Sequence, residues 1–219
     1  MSEASMLSME TLSDWIQRGG WVMAPILLCS LLVVAISLER LLVLGLWEWG
    51  FTARVRRVRA RLLSGTPVDW EVRALPPSLR PVMTAVRENW SRSRARLEEA
   101  MLFAAHGVKR RLEAHLTTLS VISQVAPLLG LLGTVLGMVR AFLAVQQGGG
   151  EVNPSALAGG IWEALLTTVF GLVVAIPAYL AWHGFERLIA TRLEAVEELM
   201  ETWITLHGEQ DHASKHPPG

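Results

Sequence analysis

Residues 126–142 have the sequence APLLGLLGTVLGMVRAF and lie in a longer apolar region, of which Leu119–Val139 carries no charged side chain. At about 1.5 Å of rise per residue, a helix over 119–145 can cross a hydrocarbon core about 30 Å thick. Glycines recur on one side of that helix: Gly130, Gly133 and Gly137. Small residues let helix backbones approach closely in lipid. The stretch therefore predicts a transmembrane helix that packs tightly against another helix.

Two further stretches have the same apolar character. Residues 159–178, GGIWEALLTTVFGLVVAIPA, lie within 156–182, where Glu163 is the only charged side chain. Trp21–Leu38 has none, and apolar residues continue beyond Arg40, which predicts a span over 21–47. We therefore expect an all-α integral membrane protein with three transmembrane helices.

The composition supports this class and excludes others. Of the 219 residues, 51% are hydrophobic and 18% charged, where a soluble domain has about a quarter charged. Twenty basic residues balance twenty acidic ones, so nothing indicates nucleic acid as a partner. One cysteine excludes a disulfide framework and a cysteine-based zinc site. With no nucleophile–base constellation either, we predict no enzyme activity, no cofactor and no metal site.

Basic residues orient the chain, because cytoplasmic loops are enriched in Lys and Arg. Residues 48–118 hold fourteen of them, the first twenty residues hold one, and 146–155 hold none. The predicted topology has segment 1–20 and loop 146–155 outside, with the segment 48–118 and the helix and tail 183–219 in the cytoplasm. In a Gram-negative bacterium the outer side would be the periplasm, and the chain would be a multi-pass protein of the inner membrane.

Helical periodicity extends beyond the membrane. A stripe of apolar residues precedes the second span: Leu97, Met101, Ala104, Val108, Leu112 and Leu116. No breaker follows before Pro127, which predicts one helix from about 91 to 147. A similar stripe follows the third span: Ile189, Leu193, Val196, Met200 and Trp203. We expect these two stripes to pair as a cytoplasmic helical bundle that extends the second and third spans.

The third span also has a side of small residues: Ala164, Thr168, Gly171, Ala175 and Ala178. Such sides in the second and third spans indicate close packing, either within the chain or between copies of it. The hypothesis to be tested is that these sides form the contact between adjacent subunits of a ring. In that arrangement the helix-packing residues are Gly130, Gly133, Gly137, Gly171 and Ala175.

Glu163 and the polar residues near it do not fit a simple anchor. A carboxylate in a span costs about 2.5–3.5 kcal/mol on insertion scales, so it needs protein, a partner charge or water. Glu163 is either a structural acid, paired or protonated, or a proton or cation site. Arg140 is the candidate ion-pair partner. Thr134 and Thr168 come at similar depth, and each either bonds its own helix backbone or joins a polar ring in an oligomer.

Three stretches resemble the MotA/TolQ/ExbB proton-channel family, and within it the three-span ExbB and TolQ proteins. They are residues 126–142 and 159–178, quoted above, and 19–40, GGWVMAPILLCSLLVVAISLER. The resemblance covers most of the chain. Thr134 falls on the threonine of G-T-V-x-G, and Glu163 and Thr168 fall on the polar residues of E-A-L-x-x-T. Arg140 stands where some relatives have another polar residue.

The resemblance implies a homopentameric ring whose second and third helices line a pore. It implies a single-span ExbD- or TolR-like partner, present as a dimer in the pore, and a motor that uses the proton motive force. Thr134, Glu163 and Thr168 would then line the proton path. A TonB- or TolA-like, or motility-associated, protein spanning the periplasm would receive the energy for outer-membrane transport or envelope maintenance. A gliding or other motility motor and a non-conducting membrane scaffold remain the alternatives.

Overall fold

A computed structural model describes residues 20–47, 50–64, 76–147 and 154–215, and this part of the chain is helical. Its α-helices are α1 Met23–Arg40, α2 Phe51–Leu63, α3 Arg80–Asn89, α4 Arg94–Leu112, α5 Leu116–Gln147 and α6 Pro154–Lys215. A π-helical segment, Leu41–Trp47, continues α1, and a short 3₁₀ segment, Pro77–Leu79, precedes α3. Most of the predicted periplasmic segment 1–20 and loop 146–155 lies outside the described residues.

The prediction of three membrane-spanning helices is confirmed by length and composition. In the described residues the helices long and apolar enough to cross a membrane are Met23–Gly45, Leu116–Gln147 and Leu157–Glu209. Many of their large apolar side chains are exposed, among them Leu31, Leu128, Phe142 and Leu172. Such side chains need lipid or another protein around them. The chain is therefore a membrane protein.

The chain divides into two compact units. The membrane unit comprises Met1–Glu39 and Thr117–His183, and the stem unit comprises Arg40–Leu116 and Gly184–Gly219. In the membrane unit, the glycine-bearing side of α5 packs on the first part of α6. Pro127 and Pro177 lie inside these two helices.

The stem unit is a bundle in which α4 packs on the C-terminal part of α6. Both predicted stripes contribute to its core, as Leu97, Met101, Val108, Val196, Met200 and Trp203 are buried. The amphipathic helix α2 adds Phe51, Val55 and Val58 to the buried residues. The Nη1 atom of Arg59 on α2 lies 2.7 Å from Oε2 of Glu198 on α6.

The prediction of one helix over 91–147 is wrong, since α4 ends at Leu112 and α5 begins at Leu116. His115, between them, has a positive φ of 62°, a conformation that is uncommon outside glycine. The last carbonyl groups of α4 lack helical partners at such a break. Arg40 donates hydrogen bonds to these carbonyl groups: its Nη1 atom lies 3.3 Å from the carbonyl oxygens of both Arg111 and Leu112. The second span therefore does not extend into the bundle as a continuous helix, whereas the third does.

A second buried arginine holds the π-helical segment. Arg192 on α6 is 4% exposed, and its Nη2 atom donates to the carbonyl oxygen of Leu44 at 2.6 Å. Its guanidinium also lies 5.4 Å from the ring centroid of Phe51. This geometry combines a charge-assisted hydrogen bond with a cation–π contact. Arg192 thus joins the end of the first span, the start of α2 and α6 within the stem unit.

Candidate functional site

Threonines of α6 contact the glycine-bearing side of α5 at the centre of the membrane unit. Thr167 is 1% exposed. Its hydroxyl oxygen lies 3.1 Å from the carbonyl oxygen of Gly130 and 2.7 Å from that of Ala164. The hydroxyl oxygen of Thr168 also lies 3.1 Å from the Gly130 carbonyl oxygen. One backbone carbonyl of α5 therefore faces two hydroxyl groups of α6.

This contact needs glycine because the two backbones lie very close together. A Cβ atom added at Gly130 would lie 2.9 Å from both the carbonyl oxygen of Thr167 and the Cα of Thr168. At Gly171 it would lie 2.6 Å from the carbonyl oxygen of Ala126. Both distances are too short for a real Cβ, and the opposing atoms are backbone atoms that cannot turn aside. Small-residue contacts of this kind are typical of membrane helix pairs.

The same contact changes the interpretation of the small-residue sides. The sequence prediction favours them as the contact between adjacent subunits. In the structure, Gly130, Gly133, Gly137 and Gly171 instead face the other helix of the same chain. Ala175 is buried. These sides are therefore occupied within one chain, and a contact between subunits needs other surfaces.

Thr167 is a central residue of this contact, and sequence reasoning missed it. A signal for it exists in the spacing of α6. Gly160, Ala164, Thr167, Gly171, Val174 and Ala178 follow a heptad pattern of alternating four- and three-residue steps. That pattern keeps one seam of a helix against its partner. The predicted small-residue stripe shares Ala164, Gly171 and Ala178 with this seam, but it includes Thr168 and Ala175, each one position after a residue of the seam.

Thr134 lies beside the α5–α6 contact and not within it. Its hydroxyl oxygen lies 2.6 Å from the carbonyl oxygen of Leu131 in its own helix. It borders an open groove of about 780 Å³. The remaining wall is apolar apart from Gln146, and its members include Val135, Met138, Phe142 and Leu165. The groove is a long apolar surface with one hydroxyl group at its edge, on the membrane unit.

Glu163 lies on a different side of α6 from this groove. Glu163 and Leu165 are two positions apart, which is about 200° of rotation on a helix, and Leu165 lines the groove. The side chain of Glu163 is partly exposed. Within one chain, the structure therefore brings Thr168 to Gly130 but leaves Thr134 and Glu163 on separate surfaces.

Arg140 is placed by the start of the first span. A Cβ atom on Gly20 would lie 3.0 Å from Nη1 of Arg140, so the guanidinium lies against the turn that precedes α1. The ion pairs between described residues do not include one between Arg140 and Glu163. The proposed pair of these two residues is therefore not present within the chain.

The candidate residues offer the hydroxyl groups of Thr134, Thr167 and Thr168 and, on a separate surface, the carboxyl group of Glu163. Among the described residues, no group of three or more His, Cys, Asp or Glu side chains could hold a metal ion. Hydroxyl groups can both donate and accept hydrogen bonds, and a carboxylate accepts them.

Comparison with known proteins gives a family match over more than half of the chain. The profile of the MotA/TolQ/ExbB proton channel family matches residues 77–198. That range includes α3, α4, α5 and much of α6, together with every candidate polar residue named above.

Three individual relatives match between 36% and 78% of the chain. The biopolymer transport protein exbB1 of Vibrio cholerae is 30% identical over 178 residues, 78% of this chain and 77% of its own length. The biopolymer transport protein ExbB of Neisseria gonorrhoeae is 42% identical over 80 residues, 36% of either chain. The Tol-Pal system protein TolQ of Haemophilus influenzae is 35% identical over 99 residues, 45% of this chain and 41% of its own length.

Proposed function

Because the chain belongs to the MotA/TolQ/ExbB proton channel family, we propose that it is the pore-forming subunit of a motor driven by the proton motive force. The motor lies in the bacterial inner membrane, with the N-terminus in the periplasm and the C-terminus in the cytoplasm. It resembles the ExbB and TolQ proteins in type, and it transmits energy to the cell envelope for outer-membrane transport or envelope maintenance.

The observation that carries this proposal is the incomplete polar site of a single chain. Glu163 and the groove beside Thr134 are on different surfaces of the α5–α6 pair, so one chain cannot bring them together. A ring of identical subunits can, because each subunit presents one surface to each neighbour. We assign Thr134, Glu163 and Thr168 to the polar lining of that ring, and we take the ring to be a pentamer.

The partner follows from what the chain lacks. Its spans contain no aspartate, and Glu163 is the only acid in the second and third spans. The proposed partner is an ExbD- or TolR-like protein that crosses the membrane once, supplies an aspartate and occupies the pore as a dimer. A protein of TonB or TolA type, or one associated with motility, then carries the energy across the periplasm.

Proton flux in liposomes tests the proposal. The chain is purified and reconstituted with and without a co-expressed single-span partner, and flux is followed with an entrapped pH-sensitive dye after a membrane potential is imposed. We expect flux only when both proteins are present. Glu163→Gln keeps the size and the hydrogen-bonding capacity of the side chain but removes its charge, and it should abolish the flux.

A matched carboxyl group controls for a general effect of charge. Glu209 is exposed on the same helix, in the stem unit, so Glu209→Gln should conduct like the parent protein. Native mass spectrometry must show the same oligomer in both variants. Full flux in Glu163→Gln at normal oligomer content would remove this carboxyl group from the mechanism. A monomer in the parent protein would refute the ring.

A further inference from the structure

The stem unit has an exposed aromatic side chain and, on another side, a groove with an apolar floor. Phe103 on α4 is 82% exposed. The groove has a volume of about 250 Å³ and lies between α4 and the C-terminal part of α6. Its wall includes Leu102 and Leu193, with the buried side chains of Val196 and Met200 beneath. The polar residues of the wall are His106, Glu197 and Lys109, and the Nζ atom of Lys109 lies 3.8 Å from Oε1 of Glu113. Leu102 and Phe103 are consecutive, so they point about 100° apart around α4.

The side chain of Phe103 and the groove lie at the same height along the helical bundle. Helices α4 and α6 are antiparallel here: a Cβ on Gly208 would lie 3.7 Å from Nη1 of Arg94, whereas the groove joins residues 102–109 to residues 193–200. Phe103 falls at one end of that range. Rotation about an axis along the helices keeps each residue at its level, so in a ring Phe103 of one subunit can meet the groove of the next.

The charges around the two features are complementary. Arg96 and Arg110 lie seven residues before and after Phe103, on the same side of α4, and both are exposed. Arg96 also contacts Glu99 on the surface, with 3.6 Å between Nη1 and Oε2. A row of exposed acids runs beside the groove on α6: Glu194, Glu197 and Glu201. Because α4 and α6 are antiparallel, Glu194 on α6 lies at nearly the same height along the bundle as Arg110 on α4.

We infer that Phe103 of one subunit inserts into the groove between α4 and α6 of the neighbouring subunit, with Arg110 facing the acidic row. This inference rests on the ring assembly proposed above. The contact joins two different surfaces of the same chain, which is the type of interface that builds closed rings. A buried phenylalanine contributes a large apolar area, and the flanking charges fix its level and direction. The stem units thus hold the ring together outside the lipid.

Disulfide formation between subunits tests the contact. Phe103→Cys is combined with Glu197→Cys, at the edge of the groove, in a Cys29→Ser background. Mild oxidation of membranes should give a ladder of cross-linked species, from dimer upward, on denaturing gels. The control combines Phe103→Cys with Glu209→Cys, which is exposed on the same helix about 18 Å further along by the helical rise, and it should remain monomeric.

The outcomes separate the contact from the ring itself. If the Phe103–Glu197 pair gives no ladder while native mass spectrometry shows an intact ring, the contact is refuted and the ring stands. If the Cys29→Ser parent is monomeric, both are refuted. In a second measurement, Phe103→Ala should lower the temperature at which the ring dissociates. Leu63→Ala removes another strongly exposed side chain (66%) of the stem unit and should leave that temperature unchanged. Equal dissociation temperatures in the two variants would also refute the contact.

Discussion

Gly130 is a position on α5 where a methyl group has almost no room, and alanine should therefore be destabilising there. The added Cβ would meet backbone atoms of Thr167 and Thr168 at 2.9 Å, so the helices must move apart. Overpacking of this kind costs about 1–3 kcal/mol. We expect Gly130→Ala to lower the thermal unfolding temperature of the detergent-solubilised protein, followed by circular dichroism.

Gly159 provides the matched control for that change. It is also in a membrane helix, but a Cβ added there would have no neighbouring atom within 4 Å. Alanine favours a helix over glycine by about 1 kcal/mol, so Gly159→Ala should unfold at the same or a higher temperature. An equal loss of stability in both variants would show that the close backbone contact is not the cause.

The substitution Thr134→Val should reduce proton flux without a comparable loss of stability. Its hydroxyl group bonds the carbonyl of Leu131 in its own helix, so valine of similar size should change the unfolding free energy by less than about 0.5 kcal/mol. Proton flux with the partner should nevertheless fall, because the hydroxyl group borders the proposed path. A Thr134→Val protein with the flux of the parent would exclude this role.

Among the helices, the two hydrogen bonds of Arg40 explain why the sequence pattern could not predict the break between α4 and α5. The break between α4 and α5 contains neither glycine nor proline, and the apolar stripe continues through it. Arg40, more than seventy positions earlier, bonds the carbonyls at the end of α4. Periodicity detects the sides of a helix that pack, whereas a distant hydrogen-bond donor that stabilises a break leaves no local pattern.

Removing that donor should loosen the break. Arg40 is 4% exposed, and a buried carbonyl group that loses its partner costs about 1–3 kcal/mol. We expect Arg40→Ala to increase amide hydrogen exchange around residues 111–116, measured by mass spectrometry. Arg56→Ala, at an exposed position on α2, should exchange like the parent. Unchanged exchange at the break in Arg40→Ala would mean that other contacts hold it.

For the whole molecule, hydropathy predicted the three spans because the bilayer sets their length and apolarity. Glycine spacing predicted which sides of α5 and α6 pack closely, since backbone approach depends on residue size. Glycine spacing could not decide whether the opposing helix belongs to the same chain or to a neighbouring copy, because both chains present the same residues. The polar site shows the same limit: the sequence predicts Thr134 and Thr168 at similar depth, but helix rotation decides that Thr168 contacts Gly130 whereas Thr134 borders the groove.

The orientation of the molecule remains a prediction from the basic residues, and it can be tested directly. Cysteines placed at Gly149 and at Arg94, in a Cys29→Ser background, lie on the two connections that hold zero and fourteen basic residues respectively. Since Lys and Arg are retained on the cytoplasmic side, a membrane-impermeant maleimide added to spheroplasts should label position 149 and leave position 94 unlabelled until the membrane is permeabilised. Inverted vesicles should give the reverse result. Labelling of both positions from one side would contradict the three-span topology, and the periplasmic access that the proposed energy transfer requires would then be lost.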